Sequence, residues 1–467
     1  MSLAQFEFIL FFIAVVIILW IQKGNQYRKL TLLAANVCFY CYWDYRFCLL
    51  LSIPVFVDFY CGRMIHRSET RARRLRYLLI SICVNVGILI VFKYFNFFVG
   101  SFKPLLQVLG FNARSLDLIL PLGISFYTFK TLTYTIDSYY RRNEPCNSLL
   151  DYAVFVTFFP TLVAGPISRA SHFLPQLRTF SPGYENLQAG IRLFVIGLFK
   201  KLYIADNLGF YVDTFYGSPL VFHSITAWFA VIAYALQIYF DFSGYTDMAI
   251  GSSRILGLRI EDNFRFPYLS TSIGEFWKRW HMTLSQWIRD YVYIPLGGGR
   301  RGSIRTYLNL MIAMLLCGLW HGAGWTFVFW GGYHGAALCL NRVFKDRGKS
   351  HEKTIGASLG TSILKWLITF LVVAMGWVFF RASNFEIAWQ VMGQLLYPHP
   401  GVLWIYPFAV FIIIATALFH ILKALDLASI FELPENARYT PAVLFCLAWL
   451  VFLFHAREFT PFIYAQF

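Results

Sequence analysis

Apolar positions along this chain fall in long unbroken blocks, without the alternation expected of half-buried strands. Blocks lie near 7–22, 30–43, 46–60, 77–99, 118–136, 151–165, 188–205, 225–250, 306–320, 324–341, 363–380, 403–422 and 440–454. A helix that crosses a bilayer needs about 20 mostly apolar residues. Several blocks fall short of that, and some are interrupted by Pro, Gly or charge. The pattern predicts an all-α polytopic integral membrane protein with about 10–13 membrane helices, some of them re-entrant or interfacial. The first block has no basic segment before it and no small-residue cleavage site after it, so an uncleaved first span is expected. No linker rich in Pro, Ser or Gly divides the chain and no internal repeat is visible, so 1–467 reads as one transmembrane domain.

Composition strengthens this reading. Apolar residues make up 58% of the chain and charged residues 14%, against roughly 45–50% and about 25% in an ordinary soluble domain. Mean hydropathy is +0.57. The formal net charge of +16 invites a nucleic-acid reading, but the distribution argues against it. Positive residues gather in short loops such as 63–76, 297–305 and 342–353, while 215–223 and 392–404 carry no Lys, Arg, Asp or Glu. The positive-inside rule assigns the basic loops to the cytoplasm and the uncharged pair to the opposite side. Basic loops also suit anionic lipid head groups or a polyphosphate donor. The nine cysteines are scattered, mostly within apolar blocks, and read as small buried hydrophobes, not a disulfide framework or metal site.

Candidate chemistry concentrates in 237–335. Residues 237–300 are rich in aromatics yet carry many charges. Charge at membrane depth is costly unless it lines protein or water, so interfacial or half-inserted helices are expected there. Asp241 and Asp247 are expected to pair structurally with Arg254 or Arg259. LWHGAGWTFVFWGGYHG, residues 319–335, holds two histidines and five glycines in what reads as a helix hairpin. Sixteen helical residues from Arg305 rise about 24 Å, which lifts His321 well past the midplane to a break that Gly322 and Gly324 permit. A structural histidine at a kink is one reading. The other is catalysis, because neutral imidazole in a dry site accepts a proton from an alcohol. His281 lies in FWKRWHMTLSQW among Trp277, Trp280 and Trp287. An amphipathic interfacial helix explains the Trp and Arg of that string but not the histidine. Lys278, Arg279 and Arg289, with Trp280, are candidates to hold a donor's phosphates, or else they anchor to lipid. His334, about 140° round a continuous helix from His321, reads as structural. No nucleophile elbow, Walker loop or dinucleotide fingerprint occurs.

The strings QIYFDFSGYTDMAIG (237–251), EFWKRWHMTLSQWIRDYVYIPLGG (275–298) and LWHGAGWTFVFWGGYHG (319–335) resemble the signature blocks of the membrane-bound O-acyltransferases. FKYFNFF (92–98), ILPLGISFYTFKTLTYTIDSYYR (119–141) and FFPTLVAGPISR (158–169) are similar to the bacterial branch of alginate O-acetylation. The resemblance implies a helical bundle around a central funnel or tunnel in a bacterial inner membrane. It implies acetyl transfer from a cytoplasmic thioester, acetyl-CoA, with no bound cofactor and no metal. The acetyl group would travel toward an exported polysaccharide such as alginate, cellulose or peptidoglycan, through periplasmic acetyltransferase partner proteins. It also implies that His321 is the catalytic base, with His281 a second histidine that either orients it or polarises the acyl carbonyl. Two other readings compete. One is D-alanyl transfer toward teichoic acid from a carrier-protein thioester; the other is a transporter, although the irregular block occurs only once.

Overall fold

A computed structural model describes residues 1–110, 115–348, 359–425, 439–454 and 462–463, together with 427 and 437. The described residues are helical, with a single isolated bridge between Phe222 and Val402. The chain forms two compact units, Met1–Phe194 with Tyr245–Glu261, and Val195–Gly244 with Asp262–Ala465.

The first unit contains α1 (Phe6–Ile21), α2 (Asn25–Cys41), α3 (Arg46–Arg67), α4 (Arg71–Leu89), α5 (Phe95–Val108), α6 (Ile124–Tyr139), α7 (Leu149–Thr157), α8 (Ala170–Gln176) and most of α9 (Tyr184–Leu198). A π-turn at Ile90–Tyr94 joins α4 to α5. Block 118–136 does not become a lipid-facing span. Nearly all of α6 is buried, because its Thr, Ser and Lys positions need polar partners that lipid lacks. Asn85 Nδ2 donates to Asp58 Oδ2 at 2.7 Å, Thr131 Oγ1 to Asn85 Oδ1 at 2.7 Å, and Lys130 Nζ to Thr161 Oγ1 at 2.7 Å.

The second unit holds α10 (Asp206–Gly217), α11 (Ser224–Ile255, up to Gly244), α12 (Ile273–Arg279), α13 (Met282–Ile288), α14 (Ser303–His321), α15 (Trp325–Gly348), α16 (Leu359–Arg381), α17 (Phe385–Leu396), α18 (Pro407–Ala424) and α19 (Thr440–Phe454). The two uncharged loops meet here. His223 N–H donates to the Val402 carbonyl at 3.0 Å and Val402 N–H to the Val221 carbonyl at 2.9 Å, so both lie at one end of the unit. Gly299, in the basic 297–305 loop, and Arg342 approach each other elsewhere, before α14 begins and in the last turns of α15.

Six helical stretches among the described residues are long and apolar enough to cross a bilayer: Arg46–Arg67, Arg71–Val108, Ser224–Ile255, Ser303–His321, Leu359–Arg381 and Pro407–Ala424. Phe6–Ile21, Leu149–Thr161 and Thr440–Phe454 are apolar but shorter. The blocks near 324–341 and 188–205 form helices too polar to qualify. The protein is thus an all-α, multi-pass membrane protein.

Asp241 corrects one expectation. Its partner is Lys201, not Arg254 or Arg259. Lys201 sits in a π-helical stretch, Phe199–Ala205, and its Nζ lies 2.7 Å from Asp241 Oδ1 and 2.6 Å from Asp206 Oδ1. All three side chains are buried. The wider π-turn carries a lysine to the carboxylates that a search along α11 alone does not reach. Asp241 Oδ2 also accepts the Ile463 N–H at 2.9 Å.

Candidate active site

The string FWKRWHMTLSQW, which one amphipathic interfacial helix would partly explain, is broken into two short helices. The first ends at Arg279, and α13 starts at Met282 with His281 as its N-terminal cap. His281 takes a left-handed backbone, φ 42° and ψ 56°, which costs an L residue about 1–2 kcal/mol. Local hydrogen bonds hold it there. Met282 N–H donates to the Asn263 carbonyl at 2.9 Å and Ser285 N–H to the His281 carbonyl at 3.0 Å. The Ser285 hydroxyl donates to the Trp280 carbonyl at 3.2 Å. The break turns the imidazole inward, where it is 0% exposed. Its Nδ1 lies 3.1 Å from Asn263 Oδ1. Burial holds this ring well below the ordinary imidazole range, favouring the neutral form.

His321 is the last residue of α14. The chain leaves through extended Gly322 and re-enters helix at Trp325, as the glycine break predicted. A Cβ on Gly322 would collide with the Phe327 ring. Lower in the hairpin, a Cβ on Gly318 would meet the Phe327 carbonyl, and one on Gly331 the Met314 carbonyl. Small residues thus let the two backbones touch, as in membrane helix pairs generally. The His321 ring is 3% exposed. It packs edge-on against Trp320, Trp330 and Phe380, with centroids at 5.0, 5.1 and 5.2 Å. Cys317 Sγ lies 3.9 Å from its Nε2.

The two predicted histidines therefore come together. Trp320 packs on both, its centroid 5.8 Å from His281 and 5.0 Å from His321. Trp280 belongs to the same enclosure, 4.9 Å from Trp377, which stacks on Trp330. The predicted cations do not join them. Lys278 and Arg289 are exposed. Arg289 contacts Asp290 at 3.0 Å and Arg279 pairs with Glu275 at 2.7 Å. The Glu275 carboxyl lies below its usual range; burial opposes this, and hydrogen bonds from Thr271 and the charge of Arg279 outweigh it.

His334 calls for a correction to its predicted surroundings. A rotation count along one continuous helix put it on a different face from His321, but the break at 322–324 makes α15 a returning helix. His334 is 0% exposed and packs on Trp330, at 4.9 Å, as His321 does from the other helix. Gly376 makes room for it, since a Cβ there would stand 2.8 Å from His334 Nε2. Sequence reasoning missed Asn263, Trp330, Trp377 and Phe380 as wall and anchor. Asn263 lies in an ordinary polar stretch, EDNFRF, and nothing in that stretch marks it out.

The chain that builds this hairpin, with one imidazole at its tip and a second from a broken segment, is similar in sequence to known proteins. A family model described as MBOAT, membrane-bound O-acyltransferase family, matches residues 140–349. The chain is 39% identical over 391 residues to the probable alginate O-acetylase AlgI of Pseudomonas aeruginosa, covering 82% of this chain and 72% of that protein. It is 37% identical over 397 residues to the peptidoglycan O-acetyltransferase of Helicobacter pylori, covering 79% and 74%. It is 30% identical over 287 residues to the teichoic acid D-alanyltransferase of Bacillus subtilis, covering 58% and 71%. The chain belongs to the membrane-bound O-acyltransferase family, and it is a membrane O-acyltransferase.

Proposed function

We propose that this protein moves an acetyl group from acetyl-CoA on the cytoplasmic side of a bacterial inner membrane toward O-acetylation of an exported polysaccharide. Alginate, cellulose and peptidoglycan are the candidate polymers, and a periplasmic acetyltransferase partner completes the delivery. The observation that carries the reading is the convergence of His321 and His281 on Trp320 within a buried, ring-lined enclosure. Relatives named for acetyl transfer align over more of the chain than those named for D-alanyl transfer, which favours acetyl as the group moved.

His321 is the general base. Its neutral ring takes the proton from the acceptor hydroxyl as that oxygen attacks the thioester carbonyl, forming the C–O bond. The C–S bond then breaks, and the coenzyme A sulfur leaves with the proton from the imidazolium. Exclusion of water by Trp320, Trp330 and Phe380 protects the thioester from hydrolysis. Lys278 and Arg289 are exposed and Arg279 is paired with Glu275, which suits the three to the donor's phosphates and not to the reacting carbonyl.

The test uses full-length protein in liposomes with acetyl-CoA labelled in the acetyl group, with and without periplasmic extract. Label should move to a periplasmic component or polymer only in the presence of wild-type protein. Transfer from a D-alanyl carrier protein in place of acetyl-CoA would overturn the acetyl assignment, and undiminished transfer by His321→Ala would overturn the base.

A further inference from the structure

Two roles stay open for His281 in that scheme: orienting and assisting the base, or polarising the acyl carbonyl. The hydrogen bonds of Asn263 bear on the choice. Its side-chain oxygen sits 3.2 Å from the Thr283 backbone nitrogen and 2.8 Å from Thr283 Oγ1. A backbone N–H can only donate, so the Asn263 atom facing it is the oxygen and not the amide nitrogen. His281 Nδ1 lies 3.1 Å from that same oxygen. An amide oxygen only accepts, so Nδ1 carries the hydrogen. In a neutral imidazole one ring nitrogen holds the hydrogen and the other a lone pair, and the bond made by one sets the state of the other.

We infer that Asn263 is a positioning residue which locks His281 as the Nδ1–H tautomer and so makes Nε2 a proton acceptor. The inference rests on the acyl-transfer reading above and deepens it. A neutral His281 of this tautomer has no hydrogen at Nε2 to offer an acyl carbonyl. It accepts instead, from an N–H of His321, and so works on the basic side of the reaction by orienting the base. The same residue fixes the backbone, because the Asn263 carbonyl takes the Met282 N–H next to the left-handed turn. One residue thus sets where the ring sits and which nitrogen carries the lone pair. Ring orientation and tautomer are coupled in the way that a partner of a metal-bound or catalytic histidine couples them.

The experiment compares Asn263→Ala, Asn263→Asp, His281→Ala and the Asn263→Ala/His281→Ala pair. Each is made in the full chain in membrane vesicles and assayed with labelled acetyl-CoA and periplasmic extract, with gel-filtration profiles to report folding. Asn263→Ala should lower kcat by about 10²-fold with KM little changed, and should cause no further loss once His281 is alanine. Asn263→Asp keeps an acceptor oxygen in place and should recover most of the rate. Its carboxylate favours the charged imidazolium, so the acid limb of the kcat profile should move to higher pH by about a unit or more. An equal loss from Asn263→Ala with and without His281, or an unmoved acid limb in Asn263→Asp, overturns the tautomer lock. If His281→Ala itself keeps the wild-type rate, the role of His281 in the reaction fails first, and the Asn263 inference falls with it. A normal folding profile for Asn263→Asp keeps the test valid even if Asn263→Ala does not fold.

Discussion

Two buried polar clusters in the second unit solve the same problem in opposite ways. Around Lys201, charge is answered by charge: the ammonium touches Asp206 and Asp241, and Asp241 also takes the Ile463 N–H. Around His321, the answer is ring surface: Trp320, Trp330 and Phe380 close on the imidazole, with the Cys317 sulfur 3.9 Å from Nε2. Interlocked charges in a medium of low dielectric cannot change protonation cheaply, so the first cluster is suited to holding helices together. An imidazole walled by rings can exchange a proton with an arriving substrate, which suits the second to the chemistry proposed above. Burial alone did not separate the two. What surrounds the buried group did.

The sharpest way to break this contrast is to remove the functional group from each cluster. His321→Ala should leave the protein folded and in the membrane while lowering acyl transfer by about 10²–10⁴-fold. Labelled acetyl transfer, alongside an immunoblot of the membrane fraction, reads both quantities. Lys201→Met should do the reverse. Stripping the cation from two buried carboxylates is expected to destabilise the fold by about 3–5 kcal/mol, seen as lost protein in membranes before any specific activity is affected. Adding Asp206→Asn and Asp241→Asn to Lys201→Met should restore much of the protein. If Lys201→Met instead accumulates normally and is inactive, the two clusters do not divide along this line.

The contrast also explains what could be read from the chain beforehand. His321 was legible because local signals agreed: an apolar run of known rise, glycines where it must stop, and an imidazole at the stop. The return helix was legible for the same reason, yet the neighbourhood of His334 was not, since a rotation count has no meaning across a break. The turn at Trp280–His281 gave no such warning. It contains neither Gly nor Pro, and its left-handed residue is held by Asn263 from eighteen positions away. Lys201 was hidden in the same sense. It looked like an interruption of an apolar run, and only the packed structure supplies the two carboxylates that keep it there. Local periodicity finds helices and their ends, whereas long-range hydrogen bonds and ion pairs decide which polar residues those helices can bury.

A smaller effect is expected where the hairpin backbones touch. Gly331→Val places a branched side chain against the Met314 carbonyl, and α14 and α15 must part to admit it. Overpacking of this kind costs typically about 1–3 kcal/mol. Because His321 ends α14, the shift should also misplace the imidazole proposed as the base. Thermal inactivation of the solubilised protein should come at lower temperature, and acyl transfer should fall further than the amount of folded protein does. Equal losses of protein and activity would mean that the hairpin spacing matters for stability alone.

The smallest effect, and the one that refines the comparison most, belongs to His334. It shares Trp330 with His321, and neither of its ring nitrogens has a hydrogen-bond partner among the described residues. Leaving a buried polar group unmatched costs about 1–3 kcal/mol. His334→Leu removes that cost and keeps similar bulk against Trp277, Trp330 and Gly376, at a packing cost below about 1.5 kcal/mol. The two terms oppose each other, so stability should stay level or rise, and acyl transfer should remain within about threefold of wild type. That outcome would make His334 part of the wall. A loss near that of His321→Ala, with folded protein unchanged, would instead bring a third imidazole into the reaction, and Trp330 would then stand between two working histidines.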